Sequence, residues 1–265
     1  MTTGHERLLL DPRTVEELIE AALAEEALDR ELGEPGDPAL SVLHARGTRD
    51  VLEAALTLIA SDDSRRRKLA ALILGELGAD RTFPEECCDA LIELLRHDPD
   101  FDVRLGAIYA LGHLGNRRGD PDLVALGAHP NDRVRRGVAF SLNGATSAGA
   151  VKTLLALMDD SNEEVRDWAT TGIGHETTID GAEIREALWR RTRDESSFVR
   201  AEALNGLALR GEKGILLQLI HEISQEDRSR GLFDDAAIAL LGLDPFGRHT
   251  PETLLSALRK QAVVN

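Results

Sequence analysis

The sequence is poor in several residue types that mark particular protein classes. Only 3% of its 265 residues are aromatic, and its two cysteines, Cys87 and Cys88, are neighbours. Adjacent cysteines rarely bridge each other, and no disulfide framework or Cys-x-x-Cys pattern is present. The first residues lack the basic start and apolar run of a signal peptide, and no apolar run is long enough to span a bilayer. These absences predict a cytoplasmic protein with reduced thiols.

Sequence signatures of catalysis are also missing. The chain contains no phosphate-binding glycine loop, no nucleophile elbow and no zinc-binding histidine pair. Cys87 and Cys88 lie in an apolar helical run with no histidine within one turn, which is more typical of core residues than of nucleophiles. We therefore favour a protein without catalytic residues, metal site or cofactor.

Basic residues are scarce relative to acidic ones. The chain has 31 Lys and Arg against 47 Asp and Glu, a formal net charge of −16. Binding to nucleic acid independently of its sequence requires a basic surface that displaces counterions, so this balance disfavours a nucleic-acid partner. It favours a protein partner, and in particular a basic one.

A recurring template fills most of the chain. In its clearest copy, residues 98–115, Arg104 is followed by Ala107, Leu111 and Gly112 at the third, seventh and eighth positions. The steps from copy to copy are 37, 31, 31, 34 and 34 residues, and the sixth, weaker copy has Asp in place of Arg. The template positions are Arg67, Arg104, Arg135, Arg166, Arg200 and Asp234. A period of this length predicts a solenoid built from helix pairs.

The template has a physical explanation. Val103, Ala107 and Leu111 lie at i, i+4 and i+8, which places them in one apolar stripe of a helix. Small residues at the third and eighth positions allow neighbouring helices to approach closely. Each arginine follows an acidic or polar turn that can cap the helix and accept hydrogen bonds from the guanidinium. We interpret Arg67, Arg104, Arg135, Arg166 and Arg200 as a structural ladder between stacked repeats.

Residues 103–115 resemble the HEAT repeat, in particular the short HEAT-like repeats of the phycobilisome lyases. The signature of that type is Val-Arg, then an Ala-rich helix, then Leu-Gly-x-Ile/Leu-Gly. The resemblance covers about residues 48–242 and implies an all-α, right-handed α-α superhelix. It leaves the function open, because such repeats occur in scaffolds, inhibitors, chaperone-like factors, bilin lyases and some DNA glycosylases.

The domain organisation follows from the continuity of the repeats. We predict one HEAT-like solenoid over residues 1–265, with a divergent N-terminal cap at about 11–47, repeats at about 48–242 and a C-terminal capping helix at about 249–262. The first helices of the pairs are predicted near residues 48–60, 84–97, 120–128, 146–159, 181–193 and 212–224.

The candidate binding residues occupy equivalent template positions. The first, fifth and ninth residues after each arginine share one helix face, and the resemblance to HEAT folds implies that this face lines the concave side. Apolar residues gather there on adjacent helices, and histidines and a threonine extend the set. The predicted partner-binding residues are Leu72, Leu105, Tyr109, His113, Phe140, Thr171 and His175. The alternative is that flanking loops cover these side chains.

We therefore predict a non-catalytic interaction scaffold, adaptor or inhibitor that binds a basic protein partner in its concave groove. A bilin lyase-like enzyme is an alternative, because the repeat type is that of the lyases. A DNA-glycosylase-like HEAT protein is a second alternative, which rests only on Trp168 beside Asp167 and which the net charge disfavours.

Overall fold

The computed structural model describes residues 4–24, 38–78, 80–177, 179–225 and 231–264. All regular elements in these ranges are helical, so the predicted all-α class is confirmed for them. The chain divides into two compact units, Met1–Ser141 (unit 1) and Leu142–Asn265 (unit 2), and each is described by itself. A single solenoid over the whole chain stays a prediction.

Unit 1 contains nine α-helices in its described residues, most of them arranged as pairs. They are α1 (Gly4–Leu9), α2 (Val15–Ala24), α3 (Pro38–Arg46), α4 (Arg49–Ile59), α5 (Ser64–Gly75), α6 (Pro84–His97), α7 (Phe101–Leu114), α8 (Asp120–Ala125) and α9 (Asp132–Ser141). The template arginines lie on α5, α7 and α9, which we call the anchored helices of this unit. Helix α7 packs between the other two.

Unit 2 contains seven α-helices in the part of it that the structure describes. They are α10 (Ala148–Leu157), α11 (Glu163–Thr171), α12 (Ala182–Arg191), α13 (Ser197–Leu209), α14 (Leu216–Gln225), α15 (Asp234–Leu241) and α16 (Pro251–Val264). Its anchored helices are α11 and α13. A π-helical segment, Gly172–Glu176, extends α11.

The predicted helices are found with small shifts at their ends. Helix α6 matches the predicted range 84–97. Helix α8 ends at Ala125, before the predicted end near residue 128, because the N–H groups of Leu126 and Gly127 donate to the carbonyls of Leu123 and Val124 in turns. The predicted cap spans about residues 11–47, and residues 25–37 of it lie outside the described residues. Helix α1 and the π-helical segment were not predicted.

Side-chain caps explain where the anchored helices α5, α7 and α11 begin. The Asp100 carboxylate accepts hydrogen bonds from the backbone N–H of Asp102 (2.9 Å) and Val103 (3.2 Å) at the start of α7. Asp63 caps α5 and Asn162 caps α11 in the same manner. These caps satisfy backbone donors that have no partner within the helix, so the polar turns of the template fix the helix starts.

Glycines set the spacing between successive anchored helices. A Cβ atom on Gly112 of α7 would lie 2.8 Å from the Cα of Ser141 on α9, and one on Gly75 of α5 would lie 2.9 Å from the Cα of Ala110 on α7. Real Cβ atoms are not found at such distances from a backbone. The eighth template position therefore packs against the sixth position of the next anchored helix with no room for a side chain.

Arg67 shows how a ladder arginine connects two repeats. Its Nε and Nη2 donate to the two carboxylate oxygens of Asp98 at 2.7 and 3.0 Å, and its Nη1 donates to the carbonyls of Ser61 and Asp62 in its own turn. Burial by itself would raise the pKa of Asp98, but the Arg67 guanidinium holds that pKa below its usual value. The pair is a charge-assisted, bidentate bridge.

The same arrangement recurs in unit 2. Arg166 donates to both oxygens of Asp194 at 2.9 Å, and the two side chains are 7% and 4% exposed. Arg200 forms a bidentate pair with Glu222 at 2.8 and 3.1 Å. In unit 1, Arg135 donates from Nη1 to two carbonyls of its own turn.

Arg104 departs from the predicted ladder. Asp98 and Asp194 each lie six residues before the next template arginine, whereas that position before Arg135 is His129. The His129 Nδ1 accepts a hydrogen bond from a backbone N–H of its own turn, so this residue supplies no carboxylate. The Arg104 side chain is exposed and makes no hydrogen bond or ion pair with the residues that the structure describes. Arg104 therefore has no ladder contact among the described residues, and its charge acts on Asp98 only as a weaker addition to that of Arg67.

We expect Gly112→Ala to lower the free energy of unfolding by about 1–3 kcal/mol, because the added methyl group overlaps the backbone of Ser141. Gly106→Ala on the same helix is the matched control. Its Cβ would lie 3.8 Å from the Lys68 Cγ, and alanine is favoured over glycine within a helix, so this variant should be neutral or stabilised by up to about 1 kcal/mol. Urea unfolding measures both, and equal losses would contradict the close-contact interpretation.

Arg166→Ala should lower the free energy of unfolding by up to about 3–5 kcal/mol, because it removes the bidentate partner of the buried Asp194 carboxylate and leaves only the single hydrogen bond from Arg191 at 3.2 Å as a charge-assisted contact. Arg104→Ala removes the same charge from the equivalent template position, where no pair exists, and should change stability by less than about 0.5 kcal/mol. Chemical denaturation monitored by circular dichroism compares the two. A comparable loss in Arg104→Ala would mean that this arginine does act in the ladder.

Candidate functional site

The predicted binding residues fall into two groups, one in each unit. In unit 1 they lie on the three anchored helices, with Leu72 on α5 and Phe140 on α9. The remaining three, Leu105, Tyr109 and His113, are on α7. In unit 2, Thr171 ends α11 and His175 lies in the π-helical segment. We call the first, fifth and ninth positions after each template arginine the inner face.

Three rings meet on the inner face of unit 1. The centroids of Tyr109 and Phe140 are 5.5 Å apart with their planes tilted by 46°, and His113 is 5.0 Å from Phe140. All three side chains are half-buried. We call Tyr109, His113 and Phe140 the aromatic cluster. Their separations are in the range at which aromatic pairs attract one another.

Neighbouring helices cover one side of the Tyr109 and Phe140 rings. A Cβ on Gly137 of α9 would lie 3.4 Å from the Tyr109 ring, and a Cβ on Gly112 of α7 would lie 2.9 Å from the Phe140 ring. Each ring therefore leans across a glycine of the adjacent anchored helix. The rings contribute to helix packing and also keep part of their surface in solvent.

Leu105 differs from its expected exposure. It was predicted as part of the apolar binding surface, but it is only 7% exposed. The reason is that α7 has an anchored helix on both sides, so that its first inner-face position is enclosed. Leu72 and the three rings remain accessible, and the accessible apolar surface is correspondingly smaller than the sequence suggested.

A hydrogen bond orients the Tyr109 ring. The Arg136 Nε donates to the Tyr109 hydroxyl oxygen at 2.9 Å. Arg136 occupies the first inner-face position of α9, and Tyr109 occupies the fifth position of α7. The bond therefore connects two successive anchored helices and restricts the rotation of the ring.

Polar groups lie at the other end of the aromatic cluster. The His113 Nδ1 is 3.5 Å from a Glu76 carboxylate oxygen, and Arg81 Nη2 is 3.8 Å from the other oxygen. The Arg81 Nε also donates to the backbone carbonyl of His113 at 3.1 Å. His44 on α3 bonds through Nε2 to the carbonyl of Leu72 at 3.0 Å.

Burial lowers the pKa of His44 and of His113, although the nearby Glu76 opposes the effect in both. Burial thus favours the neutral form of both imidazoles. Sequence reasoning missed His44 and Arg81, because they lie outside the anchored helices. The feature that distinguishes Arg81 is its left-handed backbone conformation, with φ of 54°, and this cannot be read from a sequence.

The inner-face positions that follow Arg166 in unit 2 are polar. The His175 Nδ1 lies 3.2 Å from a Glu202 carboxylate oxygen, and the Thr171 hydroxyl donates to the carbonyl of Asp167 at 3.0 Å. Burial, reinforced by the nearby Glu202 charge, raises the pKa of Asp167 to about 6. Glu202 was missed because it occupies the second position after its template arginine, which the face pattern does not include.

The π-helical segment that carries His175 is fixed by a buried arginine. Arg210 donates to the carbonyls of Ile173 and Ile179 at 2.8 Å each, and also to that of Gly174. Gly174 packs against Gly206 of α13, where a Cβ on Gly206 would lie 2.6 Å from the Gly174 Cα. Tertiary contacts therefore determine the position of His175.

The two cysteines of α6 belong to the buried core. Cys87 and Cys88 are fully buried, and burial raises the pKa of Cys87 to about 11 and raises that of Cys88 as well. Thiolate formation is disfavoured at both. No group of three or more His, Cys, Asp or Glu side chains suited to a metal ion occurs among the described residues. None of the described helices combines the length and the apolar character needed to cross a membrane.

Comparison with known proteins agrees with this architecture. A family model of HEAT repeats matches residues 56–143 and 88–174, which confirms the predicted resemblance. The chain is 26% identical to the protein YibA of Escherichia coli over 190 residues, 69% of this chain and 68% of YibA. The X-ray structure of YibA matches with a TM-score of 0.65 at 22% identity, covering 99% of this chain and 98% of that one.

A second solved structure carries the same fold. The complex of CpcE and CpcF of phycocyanin lyase from Nostoc sp. matches with a TM-score of 0.50 at 17% identity, and the match covers 95% of this chain and 96% of that chain. At these identities the likeness concerns the fold alone.

Asp167→Asn should change how stability depends on pH. A carboxyl group whose pKa is higher in the folded state than in the unfolded chain binds its proton more tightly when folded, so folding loses stability as pH rises from about 4 to about 6. The amide cannot ionise, and the variant should therefore be more stable than the natural protein at pH 7 and equal to it below about pH 4. Thermal unfolding at several pH values measures this, with the exposed Asp62→Asn as a charge-matched control. A gain that is independent of pH would contradict the assignment.

Proposed function

Because residues 56–174 are HEAT repeats, we propose that this protein is a non-catalytic interaction scaffold that binds another protein on the inner face of unit 1. The observation that supports the proposal is the aromatic cluster, in which two large rings are partly accessible on adjacent anchored helices. Accessible aromatic side chains surrounded by polar groups are typical of protein-binding hot spots.

The cluster is suited to binding because it is ordered before the partner arrives. The Tyr109 ring packs over Gly137 and its hydroxyl accepts a hydrogen bond from Arg136. The Phe140 ring packs over Gly112. Rings that are already held in one orientation lose little conformational entropy on binding, so more of their burial contributes to affinity.

The net charge bears on the identity of the partner. With a formal charge of −16, the chain attracts positively charged proteins over a range of about 10 Å at ordinary salt concentrations. We therefore propose a partner of positive net charge. Long-range attraction of this kind acts chiefly on the association rate, which should fall as salt is added.

The bilin-lyase and DNA-glycosylase alternatives remain hypotheses. The similarity to CpcE and CpcF concerns the fold, and no contact among the described residues favours a chromophore or a nucleobase. Visible absorbance after incubation with a bilin would support the first alternative. Salt-dependent binding to duplex DNA would support the second.

Affinity purification from the native host, followed by mass spectrometry and measurement of Kd, tests the proposal. We expect Tyr109→Ala and Phe140→Ala each to weaken the complex by more than about 2 kcal/mol, which is roughly 30-fold in Kd. Each variant should also lose some stability, because each ring packs on a neighbouring helix. Urea unfolding measures that loss separately and defines conditions in which both variants are folded.

Two control variants sharpen the test. Tyr109→Phe keeps the ring and removes the bond to Arg136, so it should retain most of the affinity. Phe246→Ala removes a ring that is 95% exposed, belongs to unit 2 and occupies no inner-face position, and it should leave Kd unchanged. If the alanine variants of the cluster lose stability but bind the partner with unchanged Kd, the rings have a packing role only and the proposal is wrong.

A further inference from the structure

One carboxylate acts on two histidines at the border between α3 and the aromatic cluster. Glu76 lies 3.5 Å from the His113 Nδ1, and its charge also acts on His44. His44 comes from α3, Glu76 from the end of α5, Arg81 from the following loop and His113 from α7. These four side chains belong to unit 1 and comprise the titratable or charged groups that act on the two imidazoles. One carboxylate thus faces three groups that are cationic once both histidines are protonated.

His44 connects α3 to the anchored helix next to it. Its Nε2 bonds to the Leu72 carbonyl, and its own carbonyl accepts a hydrogen bond from the Gly78 N–H at 2.8 Å. At the end of α5, the N–H of Glu76 donates to the carbonyl of Ile73. The Leu72 carbonyl lies in this same last turn, so the His44 ring caps a carbonyl near the helix end. A third bond, from the Thr82 hydroxyl to the carbonyl of Gly47 at 2.8 Å, joins the same two segments.

His113 connects the same charged group to the aromatic cluster. One face of its ring is 5.0 Å from the Phe140 ring, while its Nδ1 faces Glu76. Its Nε2 is buried and has no hydrogen-bond partner among the described residues. A proton on the His113 ring would add a positive charge with poor access to water. The nearest negative charge is the Glu76 carboxylate, which already interacts with Arg81.

We propose that His44 and His113 form an acid-sensitive latch around Glu76 and Arg81, which keeps α3 and the aromatic cluster in place while both imidazoles are neutral and loosens when they are protonated. Protonation places up to three positive charges around a single carboxylate. The imidazolium groups then gain more from water than from the protein, so His113 leaves Phe140. His44 releases the end of α5 because the burial of its ring outweighs its hydrogen bond to Leu72, which itself favours the protonated form. The consequence for partner binding rests on the proposed function, whereas the latch itself does not.

The sign of the pH effect follows from linkage. Both histidines have a lower pKa in the folded state than in the unfolded chain, so the unfolded chain binds more protons as pH falls below about 6.5. The free energy of unfolding should therefore decrease from pH 7.5 to pH 5.5. This direction is opposite to the one expected from Asp167, whose effect lies between about pH 4 and pH 6.

The test uses the purified full chain. Urea midpoints and the fluorescence of the apolar dye ANS are measured between pH 7.5 and 5.5 for the natural protein, His44→Gln, His113→Gln and the double variant. We expect the midpoint of the natural protein to fall and its ANS fluorescence to rise, and both changes to be clearly smaller in the double variant. His221→Gln, at an exposed position of unit 2, is the matched control and should behave as the natural protein does.

NMR titration of the histidine ring signals gives a second readout that does not need a stable variant. Values for His44 and His113 below about 6.5 are expected, and values at or above it would overturn the proposal. An unchanged pH dependence in a folded double variant would also overturn it. If a partner is found, its affinity should weaken at pH 5.5 for the natural protein but not for the double variant. Failure to find a partner would count against the proposed function and would leave the latch to be decided by the measurements without partner.

Discussion

The close approach of successive anchored helices is the constraint on which the other features depend. Where Gly112 meets Ser141, and Gly75 meets Ala110, no side chain fits between the backbones. The helices are therefore near enough for a guanidinium of one repeat to reach a carboxylate of the next, as Arg67 reaches Asp98. The same proximity forces the rings of the fifth position to lean over glycines, which is why they are half-buried and oriented.

Much of the helical framework could be predicted from the sequence, because the apolar stripe, the capping turns and the small residues are local patterns with a regular period. Helix α6 occupies the predicted range, and HEAT repeats account for residues 56–174. The π-helical segment Gly172–Glu176 could not be predicted. It depends on Arg210, which binds several carbonyls from more than 30 residues away along the chain, and no local pattern records that contact.

The candidate site was predictable only for residues whose position depends on one face of the anchored helices. The template placed Tyr109 and Phe140 on adjacent helices, and their rings are in contact. Leu105 was misassigned, because a face pattern does not indicate that neighbours on both sides enclose a residue. His44 escaped notice because it belongs to another element. The lack of a ladder contact at Arg104 could have been predicted from the sequence. The position six residues before the next template arginine, which supplies the acid elsewhere, is here occupied by His129.

The direction of the arginine pairs has a consequence for folding of the chain during its synthesis on the ribosome. Arg67 and Arg166 take their acids from positions 31 and 28 residues further on. As synthesis proceeds from the N-terminus, each such repeat emerges with an unmatched guanidinium that its own segment cannot neutralise. The following repeat supplies the counter-charge when it leaves the exit tunnel. Assembly is thereby given a polarity at these two points, where a repeat is completed only by the one synthesised after it.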